Sequence, residues 1–141
     1  MSHTSEIIYL GELRTEARHV KSSQKIITDA PTDNNGKGAA FSPTDLLATS
    51  LGSCMLTIMG IVAERNNIPL KNAKVRVTKI MGTEPRRVTE IHVEFTFSDT
   101  YSDKEKKLLE NAAKTCPAAY SLHPDIKQEI TFLYTPITSE M

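Results

Sequence analysis

Hydrophobic and polar positions divide the chain into a few clear stretches. Residues 6–29 are β-prone, with Ile7, Ile8, Tyr9 and Leu10, then Ile26 and Ile27, separated by Gly11 and by the turn-like Lys21-Ser22-Ser23-Gln24. They predict an antiparallel β-meander. From Leu46 to Ala63 the pattern changes to an uncharged run with Leu51, Met55, Ile58, Met59 and Val62 and small residues between them. Apolar on nearly all sides, it predicts a buried central helix over 43–66. Ser42-Pro43 opens it as N-cap and first helical position, Asp45 complements the helix dipole, and Pro69 lies just beyond its end. Residues 70–97 alternate, most clearly at Ile91, Val93, Phe95 and Phe97 against Glu90, His92, Glu94 and Thr96. They predict a hairpin with one wet face.

A second helix is predicted over 103–116. Ser102 and Glu105 have capping-box spacing, and Leu108, Leu109, Ala112, Ala113 and Cys116 share one face. A last strand is predicted over 126–134. The stretch that joins the meander to the central helix, DAPTDNNGKGAA at 29–40, has loop composition and no phosphate-loop spacing. The order β-β-β, α, β-β, α, β has no regular βαβ alternation and predicts an α+β fold.

The length of 141 residues predicts one domain, 1–141. Seventeen basic and seventeen acidic residues give zero formal net charge, which favours neither nucleic acid nor an anionic membrane as partner. The opening MSHTSEIIYL lacks the pattern of a secretory signal, and the expected location is cytoplasmic, with reduced cysteines. Two distant cysteines and four scattered histidines make no metal pattern, so no metal and no cofactor is expected. His92 falls on the polar strand face, as a solvated histidine does.

Either cysteine alone reads most simply as a small apolar core residue. Two features raise a chemical reading. Gly52-Ser53 beside Cys54 permit close backbone approach, and Cys116 directly precedes Pro117. Thiolates, not thiols, attack, so a reactive Cys54 needs a nearby cation; Arg14 and Arg18 are candidates.

The segment SPTDLL followed on the same helix by Cys54, the Cys116-Pro117 pair and the β-rich halves around them resemble the OsmC/Ohr family of thiol-dependent hydroperoxide reductases. The resemblance spans nearly the whole chain. It implies an interlocked homodimer with antiparallel sheets packed on two central helices. It implies catalysis by Cys54, which attacks an organic hydroperoxide, and by Cys116, which resolves the sulfenic acid as a disulfide that a dithiol reductant reopens. It also implies an arginine held by a carboxylate beside the reactive cysteine. Arg14 is the best match for the arginine, with Arg18 second. The peroxidase branches place a glutamate directly after the helix-opening proline, where this chain has Thr44; Asp45 fits the branches that place their acid one residue later. Asp45 as an ordinary helix-start acid is an equal alternative. An apolar pocket lined by Phe41, Leu51, Met55 and Met59 would favour alkyl peroxides. The contrasting functional reading is a non-catalytic dimer that binds an apolar small molecule or acts as a redox sensor.

Overall fold

In the computed structural model, which describes residues 2–135, the elements run β1 (Ser5–Gly11), β2 (Arg14–His19), β3 (Lys25–Asp29), α1 (Pro43–Arg65), β4 (Lys74–Gly82), β5 (Arg87–Phe97), α2 (Asp103–Ala113), α3 (Pro117–Ser121) and β6 (Lys127–Tyr134). They group into two compact units that part between Leu47 and Ala48, in the first turns of α1.

The first unit is the meander β1-β2-β3, antiparallel throughout. The β1–β2 turn places Gly11, Glu12 and Leu13 at φ 89°, 53° and 64°. Three successive left-handed residues are costly, and glycine at the first lowers that cost. Strand β1 leaves Ile7, Ile8, Tyr9 and Leu10 exposed, and Ile26 on β3 is exposed too. The loop after β3 returns to it: the Asp29 amide donates to the Phe41 carbonyl at 3.1 Å. Helix α1 then opens with a reciprocal cap. The Ser42 hydroxyl accepts from the Asp45 amide and the Asp45 carboxylate accepts from the Ser42 amide, both at 3.0 Å.

The second unit holds the core. Ala48, Leu51, Gly52, Met55, Met59 and Ala63 form a buried stripe at helical spacing along α1. Its partners include Ile91, Val93, Phe95 and Phe97, the inward positions of β5. Gly52 lies where α1 crosses β4: a Cβ there would come within 2.7 Å of the Val77 side chain. Within the single chain α1 is covered on one face. Ser53, Thr57 and Ile61 form an open stripe on the same helix, because three strands can cover one face of a helix and no more.

Strands β4 and β5 form the antiparallel hairpin, but β6 pairs with β5 in parallel, a departure from the all-antiparallel expectation. The reason is the connection. Helices α2 and α3 lie between β5 and β6 and supply the crossover that a parallel pair needs. The second helix also ends earlier than its apolar face predicts, at Ala113. Cys116 takes an extended backbone (φ −80°, ψ 145°) before Pro117, and that proline starts α3 as its first residue.

Helix α2 begins with the expected capping box. The Ser102 hydroxyl accepts from the Glu105 amide at 3.1 Å, and the Glu105 carboxylate accepts from the Ser102 amide at 2.9 Å. Ser102→Ala removes one side of this box and is expected to lower stability by about 1 kcal/mol. The urea midpoint of the variant against wild type checks it; an unchanged midpoint would contradict the assigned cap.

Candidate active-site residues

Helix α1 places Cys54 midway along its length, half-buried and beside the open Ser53–Thr57 stripe. The α2–α3 junction places Cys116 fully inside the core. The two thiols are close enough to interact, and both are reduced. Cys116 also N-caps α3, its sulfur accepting from the Ala119 amide at 3.4 Å. Burial pushes the Cys116 thiol above its ordinary value of 9.0, more than that amide contact lowers it, and the Cys54 sulfur beside it pushes in the same direction. Cys116 is therefore a protonated thiol at neutral pH. The geometry separates two roles: an accessible sulfur that can meet a substrate, and a sheltered one that can meet only the first.

The first unit holds a second construction. Arg14 Nε donates to Asp29 Oδ1 at 2.8 Å and Arg14 Nη2 donates to Asp29 Oδ2 at 2.9 Å, a side-on fork. The Ala39 amide donates to Asp29 Oδ2 at 3.1 Å. Asp29 is 1% exposed. Arg14 and Asp29 are register partners on β2 and β3, which is why the two side chains meet. The hydrogen-bonded guanidinium holds the Asp29 carboxyl below its ordinary 3.8 and is itself held charged to higher pH.

A pH dependence follows from that direction. A carboxyl with a lowered folded-state pKa stabilises the fold above its unfolded value, and the contribution is lost as pH falls through the lowered value. The stability gap between wild type and Asp29→Asn is expected to be constant from pH 7 to about pH 4 and to close below it. Urea midpoints at successive pH values measure this, and a gap that widens on acidification would contradict the pairing.

Arg18 pairs with exposed Glu6 instead. Asp45, the acid expected to hold the arginine, is the N-terminal partner of Ser42, and the Arg14 fork closes on Asp29. Thr44 lies with its hydroxyl 3.3 Å from that of Ser42. Leu51, Met55 and Met59, expected to line a pocket, are fully buried core residues. A groove of about 500 Å³ does exist, on the polar face of the β4-β5-β6 sheet, lined by Arg76, Glu90, His92, Lys127 and Glu129 among others. His92 Nε2 donates to Glu90 Oε1 there at 3.0 Å. That face is opposite the one that carries the core. Among the described residues, no three His, Cys, Asp or Glu side chains are grouped to hold a metal.

The sequence pattern of OsmC-like proteins matches residues 36–131, a span that includes both cysteines. The chain belongs to the OsmC-like family. A Psychrobacter arcticus 273-4 protein, provisionally described as an osmotic stress induced and detoxification response protein, is 53% identical over 94% of this chain and 96% of its own, with a TM-score of 0.91. The OsmC-like protein of Mycoplasma pneumoniae shares the fold at 21% identity (96% of this chain, 99% of its own, TM-score 0.76). An organic hydroperoxide resistance protein OsmC from Legionella pneumophila shares it at 16% identity (93% and 97%, TM-score 0.70). No curated protein matches the chain in sequence.

Sequence reasoning overlooked Asp29 in this OsmC-like chain. Its neighbours Ala30, Pro31, Thr32, Asp33 and Asn34 have turn composition, which assigned Asp29 to the loop. The available signal was its place at the end of a strand whose partner strand begins with Arg14.

Proposed function

We propose that this OsmC-like protein reduces organic hydroperoxides through Cys54, with Cys116 as the resolving thiol. The observation that carries the reading is the contact between a half-buried Cys54 and a fully buried, protonated Cys116. A lone reactive cysteine needs no such neighbour, and a structural pair needs no exposed member.

The Cys54 thiolate attacks the outer oxygen of ROOH. The O–O bond breaks, the S–O bond forms, and RO⁻ takes a proton and leaves as the alcohol. Cys54 is now a sulfenic acid. Cys116 gives its proton to the sulfenic hydroxyl, its sulfur attacks the Cys54 sulfur as thiolate, the S–O bond breaks, and the hydroxyl leaves as water. A dithiol reductant then reopens the Cys54–Cys116 disulfide, itself becoming the disulfide. Arg14 is assigned the guanidinium that favours the thiolate and orients the peroxide. Asp45 acts through the start of the helix that carries Cys54. The hydroperoxide-resistance name of the Legionella relative supports the substrate class.

The functional particle in this reading is a homodimer, and the site of action is the cytoplasm. Exposed Ile7, Ile8, Tyr9 and Leu10 on β1 support self-association, as does the open stripe on α1. Sedimentation equilibrium should return twice the chain mass of 15.6 kDa; a stable monomer would contradict it. The activity is tested by incubating the protein with t-butyl hydroperoxide and dithiothreitol. One alcohol should form per peroxide consumed, and an unchanged peroxide concentration would refute the reading.

A further inference from the structure

On β6 the half-buried positions are Gln128, Ile130, Phe132 and Tyr134, register partners of the inward Ile91, Val93, Phe95 and Phe97 of β5. Ile130, Phe132 and Tyr134 pack on the core. Gln128 breaks the row with an amide. An aliphatic side chain there would bury more apolar surface, so the glutamine answers a polar group nearby. Its Nε2 donates to the Ala119 carbonyl at 3.1 Å. Ala119 belongs to α3, a helix of five residues. A helix this short does not hold its shape alone, and Ala119 is among its last four carbonyls, which no intrahelical amide reaches. The amide of the same residue serves Cys116. It donates to the Cys116 carbonyl at 3.1 Å and to the Cys116 sulfur at 3.4 Å. Ala119 is thus held at its carbonyl by β6 and holds, at its amide, the buried sulfur. All of these groups lie in the second unit, as Cys54 does.

We propose that Gln128 is a positioning residue for the resolving step: by pinning Ala119 it keeps that residue's amide on the Cys116 sulfur while Cys116 attacks the sulfenic acid of Cys54. The inference rests on the peroxidase reading above and concerns only its second step. There Cys116 passes its proton to the leaving hydroxyl, and its sulfur carries negative charge until the S–S bond forms. A fixed N–H donor favours that charge. A fixed start of α3 also keeps the sulfur where it can reach Cys54. Gln128 touches neither sulfur nor peroxide and acts through Ala119.

The test follows the fate of the Cys54 sulfenic acid in reduced protein mixed with excess t-butyl hydroperoxide. Two routes compete for it. Cys116 converts it to the disulfide and water. A second hydroperoxide converts it to the sulfinic acid: the sulfur forms a further S–O bond, the O–O bond breaks and t-butanol leaves. Intact mass separates the products, about 2 mass units below the dithiol and about 32 above it. Gln128→Met keeps a chain of similar length, suits the apolar row and removes the donor. Its urea midpoint should equal or exceed that of wild type. Its first-turnover peroxide consumption should stay within about 2-fold of wild type, because Cys54 is untouched. Disulfide formation should slow about 10-fold, and the sulfinic fraction, while a minor product, should rise by about the same factor. Gln128→Glu, which sets an acceptor against the Ala119 carbonyl, should slow disulfide formation at least as much. If Gln128→Met does not fold, Gln128→Glu carries the test with the same readings. A folded variant with the wild-type disulfide rate and sulfinic fraction overturns the proposal. So does equal slowing of peroxide consumption and disulfide formation, which would mark a general loss rather than one confined to resolution. A wild type that leaves the peroxide intact overturns the peroxidase reading and this inference with it, which separates that failure from the others.

Discussion

Cys54→Ser is expected to reduce organic hydroperoxide consumption to the uncatalysed background, a fall of about 10³-fold or more. A thiolate is a strong nucleophile toward the O–O bond, and a serine hydroxyl is not. Cys116 cannot substitute. It is buried in the core, burial keeps it protonated, and its sulfur is engaged by the Ala119 amide. The replacement is nearly isosteric at a half-buried position, so the fold should survive it. Peroxide consumption and far-ultraviolet circular dichroism, measured on the same preparation, check both halves. Retained turnover in a folded Cys54→Ser variant would assign the chemistry to another group.

Phe95→Ala should cause the largest loss of stability of any single truncation considered. Phe95 is fully buried on β5 and stacks on Phe132 at 5.3 Å and on Phe97 at 6.1 Å between ring centroids. Those rings link β5 and β6, the parallel pair that no direct turn joins. Deleting the middle ring removes both stacks and leaves a cavity that its β-strand neighbours cannot close. The expected cost is about 3–5 kcal/mol, set against a total stability on the order of 5–15 kcal/mol. The urea midpoint should fall with little change in slope. Cys116 lies in the same buried cluster, so its labelling by a thiol reagent should become faster through more frequent opening. A shift below about 1 kcal/mol would mean that the cluster repacks around the gap.

Much of this architecture can be read from the chain. The strict alternation of Ile91, Val93, Phe95 and Phe97 has one interpretation, a strand with a buried face. The Ser102–Glu105 spacing has one as well, and both elements stand where their patterns place them. What could not be read depends on long-range pairing. Strand direction in a sheet is set by the connection, and periodicity contains no information about it; hence the parallel β6. Pattern also cannot distinguish a helix that its own chain covers all round from one that its own chain covers on one face, as α1 is within the single chain.

The candidate site divides in the same way. The helix motif and the Cys116-Pro117 pair drew attention to both cysteines, and their contact then follows from the fold. The partner of Arg14 could not be reached from local sequence. Asp45 had the right distance from the helix-opening proline, but Ser42 lies closer to its carboxylate in the chain and takes it for the cap. Asp29 is fifteen residues from Arg14 and meets it only because the β2–β3 register sets them opposite each other.

The central claim is that Cys54 and Cys116 form one redox unit. The most direct measurement is intact mass and free-thiol count after one equivalent of an organic hydroperoxide, on wild type and on Cys116→Ser. The account predicts that wild type loses both thiols and about 2 mass units, and that the variant stops at a trappable sulfenic acid on Cys54. Two thiols that persist unoxidised in wild type would contradict it.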